Sequence, residues 1–410
     1  MAWRTLLLLL LCHSLTLAAD KTLRLQIGDP SRKGKEAKVV LDAITDTASG
    51  ELLTPRELAS RLAGAGIVFL GESHTSMDFH RVQHRVIQEL ERSGKKVLIG
   101  LEMYPYTEQK YLDDWCQGLL TEAGFIQISR WYKNWGYHWN YYRDIFLLAR
   151  DRRMGLFAVN APREVVSAVR KKGFQNLTAE ETAHIPTKID TENAEHYTLF
   201  KAFFEGGEGM HSSMDESAWK SMFEAQCTWD ATMAYNAVRA LKEHGTKDAV
   251  MVVLIGSGHV AYGLGIQRQA KQWYDGKMAS VIPIQVQDEK DQPVEIVQAS
   301  YADFLWGLPQ ERDPIYPEPG FATGDIPGDT RRKVLSVSKD SPAKLAGFEV
   351  GDVLISMDGI PLLDREILNR LLSEKRWGDA ASFVVRRPTG EVSLQVYFRR
   401  RQPPADSRKP

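Results

Sequence analysis

Five short apolar runs constrain this chain more than any other feature. They lie at 67–70, 97–101, 156–159, 249–255 and 279–286. The first four are apolar at consecutive positions rather than at alternate ones, and the fifth is interrupted only by Ser280 and Gln285, so both faces of each strand must be buried. The segments between them carry helical spacing instead. After the first run, Phe79, Val82, Val86, Ile87 and Leu90 recur at intervals of three and four. Strands buried on both faces and separated by helices predict an α/β fold, a parallel sheet with helices on both sides.

Each of the first four runs ends in a chemically capable residue. Glu72 and His74 follow the first, Glu102 the second, Asn160 the third, and His259 the fourth, inside "GSGHVAYGLG". One polar residue after a strand is an ordinary turn or helix N-cap. Four such ends, supplying carboxylates and imidazoles rather than Ser and Asp, point to one shared site. In open α/β sheets the loops at the carboxyl edge converge on a crevice. His80 and His84, four apart, share a helix face. That spacing suits either a metal or a packed or solvated face.

Between the second and third runs the chain is dense in aromatic rings. Trp131, Trp135, Tyr137, His138, Trp139, Tyr141 and Tyr142 fall within twelve residues. Such a block is helix-packing core, the wall of a site for a large flat ligand, or both. A helical insertion at about 163–245 follows. Within it "FFEGGEGMHSSM" is a glycine-rich loop able to cover the site.

Lys plus Arg total 52 and Asp plus Glu 53. This balance gives no footprint for nucleic acid or an anionic membrane. No segment reads as a transmembrane span. Residues 1–19 read as a signal peptide, with Arg4, a short leucine core and small residues at Ala18 and Ala19. An exported protein of the periplasm or cell envelope is expected. Cys12 follows bulky Leu11, which a lipid-attachment motif does not favour. Cys116 and Cys227 form a disulfide or remain two separate thiols. The remaining organisation is an α/β domain over 20–308, a Pro/Gly-rich linker at 309–328, a small mostly-β domain over 329–401 and a disordered tail at 402–410.

Six segments, "LGESH", "GLEMYP", "RWYKNWGYHWNYYRDIFLLAR", "AVNAPRE", "AQCTWDATMA" and "IGSGHVAYGLGI", carry a resemblance. In this order they resemble the ChaN-like haem-binding family, within the superfamily that includes Tiki-type peptidases and erythromycin esterases. The segments "DSPAKLAGFEVGDVLISMDGI" and "VVRRPTG" resemble a bacterial PDZ domain, whose carboxylate-binding loop would fall at "GFATG". The first resemblance implies haem binding linked to iron uptake at the envelope, through Glu72, His74, Glu102, Asn160 and His259. Haem iron takes a phenolate or an imidazole, so Tyr104, Tyr137, His138, His74 and His259 are the candidate cofactor-binding residues. The PDZ resemblance implies a protein or peptide partner, and a homodimer is allowed for. The alternative is a hydrolase. In one form Glu72, His74, Glu102 and His259 hold a divalent metal ion that activates water. In the other, His74 is a general base oriented by Glu72 or Glu102. The aromatic block favours haem.

Overall fold

The computed structural model describes residues 19–204, 215–288 and 291–400. The expected signal peptide, apart from its last residue, the greater part of the glycine-rich loop and the C-terminal tail lie outside the described residues. The described chain divides into two units. One joins 19–135 to 139–310, and the other joins 136–138 to 311–400.

The first unit contains ten strands. These are β1 (Glu36–Lys38), β2 (Ile44–Asp46), β3 (Leu52–Leu53), β4 (Ile67–Glu72), β5 (Lys96–Pro105), β6 (Gly155–Asn160), β7 (Ala249–Gly256), β8 (Met278–Gln285), β9 (Ile296–Gln298) and β10 (Phe304–Leu308). Eight form one sheet in the order β3-β2-β10-β8-β4-β7-β5-β6, while β1 pairs with β9. From β10 through to β6 every pairing is parallel. The five apolar runs are therefore contiguous in the parallel part, as their two-sided burial demands. β7 lies at its centre, buried at all eight positions.

At the other edge β2 and β3 run antiparallel. Two or three residues are too few for a periodic signal, so this edge left no mark in the apolar pattern. On one face of the sheet, Ile67, Phe69, Met251, Val253 and Ile255 pack with Met233, Ala234 and Ala237 of the long helix Glu216–His244. The helix Met77–Arg92 lies against β4 and β5 and buries the predicted stripe of Phe79, Val82, Val86, Ile87 and Leu90.

The second unit is a mostly antiparallel sheet of β11 (Phe321–Ile326), β12 (Asp329–Val337), β13 (Val353–Met357), β14 (Ile360–Pro361), β15 (Ala380–Arg387) and β16 (Gly390–Tyr397). Its core gathers Phe321, Phe348, Leu354, Phe383, Val385 and Phe398. The Asp358-Gly359 turn has positive φ at both residues, 49° and 79°, as the tight β13–β14 hairpin requires. Residues 321–326, read in the sequence as linker, are an edge strand. Thr323 and Gly324 interrupt its apolar pattern, and its burial comes from the rest of the unit. The "GFATG" segment begins that strand, and the Gly320 carbonyl accepts from the Ser341 hydroxyl at 3.3 Å.

Ile99 sits at 0% exposure in β5, between β7 and β6. Ile99→Ala is expected to cost the α/β unit about 2–5 kcal/mol, through lost transfer energy and a cavity. Urea unfolding monitored by tryptophan fluorescence measures it.

Candidate functional site

Strands β4, β7, β5 and β6 are neighbours, so their carboxyl ends lie side by side. The site is two carboxylate–imidazole assemblies set on either side of Gly256.

The first assembly centres on Glu72, whose side chain is fully buried. An isolated carboxylate in such a place is untenable, and three groups hydrogen-bond to it. His74 Nδ1 lies 2.7 Å from Oε1, and the Tyr142 hydroxyl donates to the same oxygen at 2.5 Å. Gln83 Nε2 donates to Oε2 at 2.6 Å. Burial alone pushes the Glu72 carboxyl upward. The nearby His80 imidazole and the bonds from His74 and Tyr142 overcome this and hold it at about 2. His80 places Nδ1 3.1 Å from Gln83 Oε1 and Nε2 3.2 Å from the His74 carbonyl. Burial pushes His80 downward, and Glu72 opposes it. The His74 ring also meets Trp135 edge-on, with centroids 4.8 Å apart.

The second assembly centres on His259, in the turn directly after β7. Its Nδ1 lies 2.5 Å from Asp230 Oδ1 and 2.8 Å from the Gln226 amide, both on the long helix. Its Nε2 lies 3.5 Å from Glu102 Oε1. Burial drives the imidazole toward neutrality, but Asp230 and then Glu102 outweigh it, and its pKa is raised. The other Glu102 oxygen accepts from the Gly256 N–H at 2.7 Å. A methyl group placed on Gly256 would lie 3.2 Å from His74 Cε1 and 3.7 Å from His259 Cδ2. Gly256 thus lies between the two rings.

Glu72, His74, Glu102 and His259 therefore meet at one edge. Asn160 stands beside them as a brace. Its amide donates to the Glu102 carbonyl at 2.7 Å and its oxygen accepts from the Ala161 N–H at 2.7 Å. Tyr104, expected as an iron ligand, lies in the core. Tyr104 has 0% exposure and hydrogen-bonds Ser129 Oγ at 2.8 Å. Its ring packs with Phe125 and Trp131, and burial pushes its hydroxyl pKa up. It is a core residue, packed among aromatic rings near the end of β5. Tyr137 and His138 group with the second unit, where His138 stacks on Tyr316 at 3.4 Å. Trp131 and Trp139 of the aromatic block are packing: with Trp115, Phe125 and Phe146 they form one buried cluster. Among the described residues, no group of three or more His, Cys, Asp or Glu is placed to hold a metal ion. Cys116 and Cys227 are separate free thiols.

Sequence reading missed Gln83, Gln226, Asp230 and His196, and named Tyr142 only as part of the aromatic block. One signal existed for Asp230: it is the one charged residue in the stretch 225–238 of that helix. His196 is buried, with Nε2 3.6 Å from Asp230 Oδ2. Arg268 donates to its Nδ1 at 3.1 Å and forms an ion pair with Asp190.

Two tests follow from this geometry. Gly256 has φ −53° and ψ 137°, which alanine adopts without strain. Gly256→Ala should therefore displace the His74 ring and little else. Histidine NMR should show a moved His74 signal beside a nearly unchanged unfolding midpoint. Burial holds His196 down at about 4 against an ordinary value of 6.5. Its folded pKa is depressed, so its contribution is complete above pH 6.5 and is lost as pH falls toward 4. Wild type should lose about 2 kcal/mol between pH 7 and pH 5 from this group. Denaturation of His196→Gln at both pH values should show a smaller loss.

A family model described as haem-binding uptake, Tiki superfamily, ChaN matches residues 58–270. A PDZ-domain model matches 281–397. That second match starts inside the α/β unit, since β8 and β10 pair with β4 and β2, and the antiparallel unit itself lies beyond residue 310. No curated protein matches the chain. Among solved structures, one of cofacial haem binding to ChaN of Campylobacter jejuni is 18% identical. It covers 64% of this chain and 95% of that one, with a TM-score of 0.49. The HtrA-type protease AlgW with a decapeptide is 26% identical over 23% of this chain and 32% of its own, with a TM-score of 0.20. A succinoglycan biosynthesis protein is 13% identical over 56% and 68%, with a TM-score of 0.34. With more than half its length matched in register, the chain belongs to the ChaN haem-binding uptake family of the Tiki superfamily and carries a C-terminal PDZ domain.

Proposed function

We propose that the α/β unit binds haem at the carboxyl edge of its sheet, with His74 as the residue that holds the iron. Membership of a haem-binding uptake family carries this reading. The donor chemistry at the edge fits it. Metal-ligating imidazoles are keyed by a carboxylate on their second nitrogen, which fixes the ring and raises its basicity. His74 has this arrangement, with Nδ1 on Glu72 at 2.7 Å and therefore Nε2 as its coordinating atom. His259 is a poorer ligand, because Asp230 and Glu102 flank its two nitrogens and favour its protonated form. Bound haem would supply an iron centre. The protein's part is to orient His74 through Glu72 and to cover the ring with apolar side chains such as Trp135.

The PDZ unit would bind a protein or peptide partner, and the whole would work in iron or haem uptake after export to the periplasm or cell envelope. Fractionation of cells expressing the native gene tests the location. Sedimentation of haem-loaded protein tests whether it is a homodimer.

Titration of the full chain with haemin should give a protein-specific Soret band. His74→Ala should shift that band and weaken binding at least tenfold. Tyr104→Phe should leave both unchanged. A free-haem spectrum with wild type would end the haem reading.

The Glu72–His74 pair is also the geometry of a general base oriented by a carboxylate. Hydrolysis of an ester or peptide panel by haem-free wild type, lost about 100-fold or more in Glu72→Gln, would put that second reading in its place.

A further inference from the structure

We infer that Asp230 is a positioning residue for the site: it fixes the ring and the Nδ1 proton of His259 and, through Glu102 and the Gly256 N–H, sets the spacing between His259 and His74. This rests on the edge being the ligand site but not on the ligand's identity.

Asp230 lies in the middle of the helix Glu216–His244, at 0% exposure. A carboxylate buried in the middle of a helix is costly unless paired. Its position is therefore explained by what it holds. Oδ1 lies 2.5 Å from His259 Nδ1. Oδ2 lies 3.6 Å from His196 Nε2. The Arg268 guanidinium donates to His196 Nδ1, which makes that nitrogen an acceptor and places the His196 proton on Nε2, facing Asp230. Arg268 is in turn anchored by Asp190. So the helix Ala194–Phe204 and the segment around Arg268 hold His196, His196 faces Asp230, and Asp230 holds His259.

From His259 the connections run to the edge. Nε2 lies 3.5 Å from Glu102 Oε1, and Glu102 Oε2 accepts from the Gly256 N–H at 2.7 Å. Gly256 separates His259 from His74, with room for little more than its own hydrogen atoms. An acid on the helical layer is thereby linked to both imidazoles at the edge. A purely structural ion pair would have no reason to end on the backbone amide that separates two site residues.

The test uses the full chain with 15N-labelled histidine, read by two-bond proton–nitrogen correlation. His259→Asn assigns the His259 signals. In wild type, His259 Nδ1 should be protonated. In Asp230→Asn, both His259 ring nitrogens should shift and the His74 signals should move with them. Haemin affinity should fall at least tenfold. Wild-type spectra with an unprotonated His259 Nδ1 overturn the inference without any variant folding. So does an Asp230→Asn spectrum in which His259 or His74 is unmoved. Because these signals are read without haem, failure of the haem titration and failure of this inference are separate results.

Discussion

The burial of the Glu72 carboxylate is the constraint on which the edge depends. A charge withdrawn wholly from water must be met by donors in fixed places. Those donors come from three parts of the chain: His74 from the turn after β4, Gln83 from the helix Met77–Arg92, and Tyr142 from the aromatic block. Meeting the requirement ties the second turn of that helix to the strand and brings Tyr142 onto it. The same bonds that make Glu72 tolerable orient His74. Stability and site geometry are here one set of contacts.

The second assembly solves the same problem in a different way. Asp230 is buried just as fully, yet its strong partner is an imidazole with a raised pKa, and Glu102 lies at that ring's other nitrogen. Two histidines a few ångströms apart are thus given different characters by their acids. His74 takes one carboxylate on one nitrogen, which suits a ligand or base. His259 lies between two acidic side chains, which suits a proton carrier. Gly256 keeps them apart without filling the space between them.

The sheet was legible because two-sided burial leaves a continuous apolar run, and all five runs became neighbouring parallel strands. The edge residues were legible because parallel strands put their carboxyl ends on one side. The edge strands β2 and β3 were not, since so few residues carry no period. β11 was not either: glycines and prolines around it mimic a linker, and its pairing with β12 is a long-range event. Tyr104 misled for a related reason. Its place two residues after Glu102 puts it near the end of a site strand, but does not show which layer its side chain enters.

Sequence alone determined the α/β class, the two-part organisation and the set Glu72, His74, Glu102 and His259, because burial and strand direction act locally and leave periodic traces. Only the tertiary structure decided the partners. Gln83, Tyr142, Asp230 and His196 join the site across helices and strands distant in sequence. Hydrogen bonding depends on where side chains meet in space, and no spacing along the chain encodes that meeting.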